Sequence, residues 1–344
     1  MCDNKKWNFQ FSCDLNGILY PNGILAVARY LSGHYCGNEL DDSANHESPQ
    51  MTGQKNFDVI VCGSLHLDIV VDAPHLPRLD ETVPGSHWKK ICGGKGGNQA
   101  VMAARAGALC AMIGRVGADD FGTTLLENLR ANGVESNAVL VDHQAGSGMS
   151  VAILDRAGDY GAVIVSGSNL NLDPAGCAAA WDRHGGAPVL VLQNEIPEAV
   201  NIAAAAAAKR SGGQVVLNAA PARAMSREFL DLVDLLVVNR IEAEMLGGDS
   251  VSDAASAMAS LPKLGPGGRQ VVITLGGHGL VFAGHDGKPQ AIAPVKVTVK
   301  STHGAGDCFV GTLAAQLARN ADLAVACAEA NRAAARHVSG RPVA

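Results

Sequence analysis

The chain has 344 residues, of which 47% are apolar and 17% charged, and it carries a net charge of −6. That composition excludes a disordered chain. No apolar run reaches the roughly 18 residues of a membrane span, and no block of Lys or Arg marks a nucleic-acid partner. The length suits one large or two modest domains. Nine cysteines, odd in number, irregularly spaced and without a C-x-x-C pair, argue against a zinc knuckle or a redox motif. Cys62, Cys110 and Cys327 sit in apolar runs and read as small buried hydrophobes of a reducing compartment. Cys308 reads as the thiol open to reagents. Without an apolar leader segment, a cytoplasmic location is expected.

Residues 1–56 are polar and irregular, ending in DDSANHESPQMTGQKN, a composition that resists packing. They read as a loosely ordered extension without a catalytic role, with Met51 an alternative start. From Phe57 a regular pattern begins with the strand DVIVCG. HLDIVVDAP and TVPGSHWKKI (about 66–73 and 82–91) then read as hairpin-like strands without a crossover helix, as do GMSVAILD and GAVIVSG (about 148–155 and 161–167). These four form a small sheet that serves as a flap over a ligand, a dimerisation edge, or both. Between the two pairs, GGKGGNQA at 93–100 leads into the helix AVMAARAGA. Its glycines allow close backbone approach, Lys95 and Asn98 offer donors, and the helix start suits a polar ligand. A tight connection explains such a turn equally well.

Further along, the both-face-apolar runs PVLVLQ, QVVLNA, DLLVVN and QVVITLG alternate with AVNIAAAAAAKR, REFLDLV and SDAASAMASL. This is the signature of a parallel sheet covered by helices on both sides. Gly212 and Gly213, after Lys209 and Arg210, stop the first of these helices. Polar residues follow the strands: Asn194 and Glu195, then Asn239 and Glu242, then the glycine-rich turn at 273–279. Ligands of open parallel sheets bind beyond such strand ends, although helix caps use the same residue types. Last, STHGAGD at 301–307 opens the helix FVGTLAAQLA. The amides of Gly304, Ala305 and Gly306 with the helix dipole make an anion hole. Asp307 beside it reads either as a helix cap or as the acceptor of a hydroxyl proton in phosphoryl transfer.

The chain lacks G-x-x-x-x-G-K-[ST], a G-x-G-x-x-G after the first strand, G-x-S-x-G and H-E-x-x-H, which removes the main support for common nucleotide-binding, hydrolase and zinc-protease readings. Instead GSLHLD, GGKGGNQA, LNAAPA, NRIEAE and STHGAGDCFVG, in that order from about Phe57 to Gly340, resemble the motifs of the ribokinase-like, or PfkB, carbohydrate kinases. The resemblance implies an α/β fold, a three-layer αβα sandwich with a mostly parallel central sheet and a small β-sheet lid. It implies transfer of the ATP γ-phosphoryl group to a sugar hydroxyl, ribose or a similar pentose first, and a homodimer paired through the lid.

By the same resemblance Asp307 is the base, and Gly304, Ala305 and Gly306 are the anion hole. His66, Asp68, Gly94, Lys95, Asn98 and Glu195 contact the sugar, while Asn239, Glu242, Thr274, Gly276 and Gly279 serve the nucleotide. Glu242 would hold Mg2+ through water. Three departures stand out. His66 occupies a position where many relatives have Asn, and an imidazole cannot present an amide's pair of groups. Ser301 replaces the acid that commonly opens the last motif, which implies a weakened monovalent-cation site and a reduced K+ dependence. The chain ends at GRPVA, where relatives continue, which implies an altered cation loop or nucleotide edge. A nucleoside kinase is the alternative within the family, and a non-catalytic sugar or nucleotide sensor the alternative outside it. An aromatic content of 4% favours a plain sugar over a nucleoside.

Overall fold

Alternate residues of the first strand face opposite cores. Ile60 and Cys62 pack on one side of it and Val59 and Val61 on the other, all fully buried. A side-chain period of two makes this arrangement unavoidable for a short run that is apolar throughout. The computed structural model describes residues 57–155 and 160–342. The reading of 1–56 as an extension, and of Met51 as a start, lies outside the described residues.

In chain order the strands are β1 (Val59–Cys62), β2 (His66–Asp72), β3 (His87–Gly93), β4 (Cys110–Gly117), β5 (Glu135–Asp142), β6 (Gly148–Leu154), β7 (Tyr160–Val165), β8 (Val189–Gln193), β9 (Gln214–Asn218), β10 (Leu235–Asn239), β11 (Gln270–Thr274), β12 (Leu280–Ala283) and β13 (Pro289–Ile292). The helices are α1 (Lys95–Arg105), α2 (Asp120–Ala131), α3 (Pro174–Arg183), α4 (Glu198–Arg210), α5 (Arg227–Leu232), α6 (Arg240–Gly247), α7 (Ala254–Leu264), α8 (Ala305–Ala318) and α9 (Leu323–Val338).

Nine strands form one sheet in the order β13-β12-β11-β10-β9-β8-β1-β4-β5. From β11 through to β5 every pairing is parallel, and only the edge pairings β11–β12 and β12–β13 are antiparallel, so β12 alone runs against the other strands. Helices α1, α2, α8 and α9 share a core with Val59, Val61, Val189 and Val191 on one face. Helices α3, α4, α6 and α7 share the other core with Ile60, Leu190, Leu192 and Trp181. Each fully buried large side chain of this kind contributes about 1.5–3 kcal/mol. Two layers of helix around one mostly parallel sheet give the expected αβα sandwich.

The second sheet has four strands in the order β3-β2-β6-β7. Its strand β3 begins at His87, five residues later than the sequence reading of 82–91. Pro84 has no N–H for a ladder, and pairing starts only where Ser86 N–H donates to Asp72 O at 2.9 Å. In this sheet β2 pairs with β6 in parallel, which places His66 opposite Gly148 and Asp68 opposite Ser150.

Helices α1 and α8 approach closely through small residues. A Cβ added to Gly311 would stand 2.5 Å from Gln99 O and 2.8 Å from Ala103 N, so this position has no room for a side chain. Gly311 lies one turn beyond Asp307, and the close approach turns Asp307 towards α1.

Candidate active site

Parallel strands deliver their carboxyl ends to one edge of the large sheet. On that edge lie Gly63 and Ser64 after β1, Asn194 and Glu195 after β8, Asn239 ending β10, and Thr274 ending β11. The starts of α1 and α8 complete it.

Helix α1 begins at Lys95 after Gly94, whose φ of 82° lies in the left-handed region and whose missing Cβ would meet His66 N at 2.7 Å. Only glycine fits both demands. Glu195 Oε2 accepts from the Lys95 N–H at 2.9 Å and from Ser64 Oγ at 2.5 Å, tying the start of α1 to two strand ends. Asp68 Oδ1 accepts from Ser150 Oγ at 2.5 Å, and the Asp68 side chain occupies the space that a Cβ on Gly93 would fill.

Helix α8 begins at Ala305 after Gly304, with φ 71° and no side-chain cap. Asp307 does not cap its own helix. Its Oδ2 accepts from Asn98 Nδ2 and its Oδ1 from Gln99 Nε2, both at 3.0 Å, and the residue is 8% exposed. Burial pushes the Asp307 carboxyl above the ordinary aspartate value. The Lys95 ammonium and the two amides pull in the other direction, and Glu195 adds to the rise. Of the three amides in the expected anion hole, that of Ala305 already donates to Thr302 O at 3.3 Å. Among the described residues those of Gly304 and Gly306 find no acceptor.

The residues expected on the nucleotide side are held differently. Asn239 and Glu242 form a reciprocal capping box, with Glu242 N–H donating to Asn239 Oδ1 at 2.9 Å and Asn239 N–H to Glu242 Oε2 at 2.8 Å. Cap chemistry therefore accounts for the position of both. Burial nonetheless pushes the Glu242 carboxyl up, Lys95 lowers it and Asp307 raises it, so its charge is felt by the same site. Thr274 lies opposite Asn239 in the β10–β11 register. Gly276 and Gly279 take positive φ in the turn that follows.

Ser301 is exposed, and its Oγ accepts from His303 N–H at 3.2 Å. Cys308 corrects the reading of an open thiol. It is fully buried beside Met102 and Ala333, and burial pushes its thiol up to about 11.

A cavity of about 230 Å3 runs between the small sheet and the strand ends, lined by His66, Ile164, Ser166, Asn194, Glu195 and Arg223 among others. His66 Nε2, Asn194 Oδ1 and two Arg223 nitrogens are buried without a hydrogen-bond partner. Sequence reading missed Gln99, Ser64, Ser150, Gln193 and Arg223. Gln99 stood inside the quoted GGKGGNQA, and Gln193 was a lone polar residue closing an apolar run.

A carboxylate pinned by two amides beside a helix N-terminus can take a proton next to a bound anion, which is the chemistry of a small-molecule kinase. The model of the pfkB family carbohydrate kinases matches residues 56–341, and the chain belongs to that family. It is an ATP-dependent carbohydrate kinase, a phosphotransferase with a sugar hydroxyl as acceptor. It is 38% identical to a ribokinase of Mus musculus over 76% of this chain and 81% of that one. With a ribokinase of Bacillus subtilis it shares 34% identity over 81% and 92%. Among solved structures, Arabidopsis thaliana ribokinase complexed with ribose and ATP superposes with a TM-score of 0.74 at 27% identity, covering 83% of this chain and 93% of that one.

Proposed function

We propose that this kinase phosphorylates ribose or a similar pentose, with Asp307 as the general base. The observation that carries the reading is the setting of Asp307, which is buried, turned away from its own helix and held by Asn98 and Gln99. Held this way, the carboxylate takes the proton of the attacking hydroxyl while the amides at the start of α8 receive the phosphoryl oxygens. His66, Asp68, Gly94, Lys95, Asn98 and Glu195 form the sugar side. Asn239, Glu242, Thr274, Gly276 and Gly279 form the nucleotide side. Ribose is preferred because the relatives are ribokinases and because, among the described residues, no Phe, Tyr or Trp lines the cavity as a platform for a base.

Mg2+ bound with ATP would neutralise phosphate charge. A magnesium ion of this kind is held by one or two carboxylates, phosphates and water rather than by a protein cage. Glu242, half-buried with one oxygen already taken, fits that role through water, and among the described residues no cluster of three metal-ligating side chains exists. Ser301, Thr302 and His303 offer no carboxylate, so the residues there do not fit a strong monovalent-cation site, and no step is drawn through K+. A second copy of the chain would cover Trp88, Val163 and Val165, which lie exposed on the small sheet. The unpaired cysteines and the ATP requirement suit the cytoplasm.

A coupled ADP-release screen over pentoses, hexoses and nucleosides tests the substrate. The expected result is the highest kcat/KM with ribose or a near pentose. Preference for a nucleoside would overturn the assignment.

A further inference from the structure

The proposed mechanism uses Asp307, its Asn98 and Gln99 donors and the helix starts, but leaves the fully buried Gln193 unexplained. Gln193 closes β8, and its backbone carbonyl accepts from Asn201 Nδ2 at 2.8 Å, which fixes the strand end against α4. Its side chain Nε2 donates to Gln99 Oε1 at 2.8 Å, and Gln99 Nε2 in turn donates to Asp307 Oδ1 at 3.0 Å. Gln193 Oε1, at the far end, has no hydrogen-bond partner. A Cβ on Gly63 would stand 1.9 Å from that oxygen, so the glycine leaves the space the amide fills.

An amide can present either its oxygen or its NH2 group, and the two ends of Gln99 are nearly equal in shape. Only one orientation serves Asp307, because the other would set Oε1 against the carboxylate. The carboxylate, which can only accept, sets that orientation, and the donor that arrives from Gln193 holds it. The two amides then lie in series with their N–H ends towards the carboxylate, and the unpaired Gln193 oxygen is where such a series must begin. Burial of all three groups makes each dipole felt more strongly than it would be in water.

We propose that Gln193 is a positioning residue for phosphoryl transfer, acting through Gln99 to hold the ionised Asp307 in place. This rests on the reading of Asp307 as the base. The charged and titratable groups that also face Asp307 are Lys95 on α1, Glu195 after β8, Glu242 on α6 and Cys308 beside it on α8. None of them contacts Gln193 in the hydrogen-bond network, so a change there acts through one known path.

Gln193→Met removes the donor at similar volume. Its expected effect is a fall in kcat of about tenfold, the size of one lost buried hydrogen bond, with the sugar KM within about twofold. The acid limb of its kcat–pH profile should move up, because the Gln99 donor to the carboxylate is no longer held in place. Gln193→Glu is the conservative partner. Its neutral carboxyl can still donate to Gln99 Oε1 and its ionised form cannot, so its turnover relative to wild type at the same pH should approach unity at low pH and fall as pH rises. Two results would overturn the proposal while Asp307→Asn is inactive: Gln193→Met with wild-type kcat and an unmoved limb, or both variants equally impaired at every pH with the sugar KM raised in step. Full turnover in Asp307→Asn would instead remove the base reading, and the positioning role with it.

Discussion

Around the starts of α1 and α8, polar groups are tied across long stretches of chain. Lys95 N–H reaches Glu195, Gln99 reaches Asp307 and Asn98 reaches Asp307, at sequence separations of 100, 208 and 209. At the start of α6 the pattern is the reverse. Asn239 and Glu242 satisfy each other across three residues and are half-buried or exposed. The first region exists only once the whole fold has closed, and its geometry is set before any ligand arrives. The second assembles itself locally. Substitutions in the first should therefore act on chemistry or on global stability, and those in the second on a helix end and on nucleotide affinity.

Four substitutions probe that contrast. Asp307→Asn, the largest expected effect, should lower turnover by roughly 10²–10⁴-fold with ATP binding nearly intact, measured by ADP release and nucleotide titration. The wild-type enzyme should meanwhile show an acid limb in kcat above the ordinary aspartate value of 3.8, because burial raises this carboxyl and the base must be ionised to work. The sign for stability runs against that for activity. A raised carboxyl favours the fold below its unfolded value, and that contribution is lost as pH rises through the folded one. Gly311→Ala should cost about 1–3 kcal/mol in denaturant unfolding, since the new methyl meets backbone atoms of α1. An unchanged midpoint would show that the α1–α8 contact is looser than the geometry requires. Asn239→Ala should cost only about 1 kcal/mol, the loss of one helix cap, while raising the ATP KM. A change in sugar KM instead would blur the boundary between the two regions. Ser301→Asp, the smallest, should leave stability alone and introduce potassium activation in a salt titration.

The sandwich was legible in the sequence because its strands are apolar on both faces and the helices between them carry their own stop signals, such as Gly212 after Lys209 and Arg210. The locally built residues were legible for the same reason: a capping box is written within four consecutive positions. Asp307 could be read as cap or base. Only the approach of α1, made possible by Gly311, removes the cap alternative. Gln193 and Ser64 carried no local mark, since what matters about them is a partner about a hundred residues away. Cys308 was misread because a polar neighbour suggested exposure, whereas the helix turns its thiol into the core.

The turn that carries Thr302 and His303 is fastened from an unexpected quarter. Lys300 and Ser301 both donate their N–H groups to Val338 O, and His337 Nε2 lies 2.8 Å from His303 O. The closing turn of α9 is thus a backstop for the entry to α8, set some thirty residues downstream of it. A lesion at His337 or Val338 would pass for a packing defect by position and for an active-site defect by assay. Anyone sorting variants of this enzyme by distance from Asp307 along the chain would file it under the wrong heading.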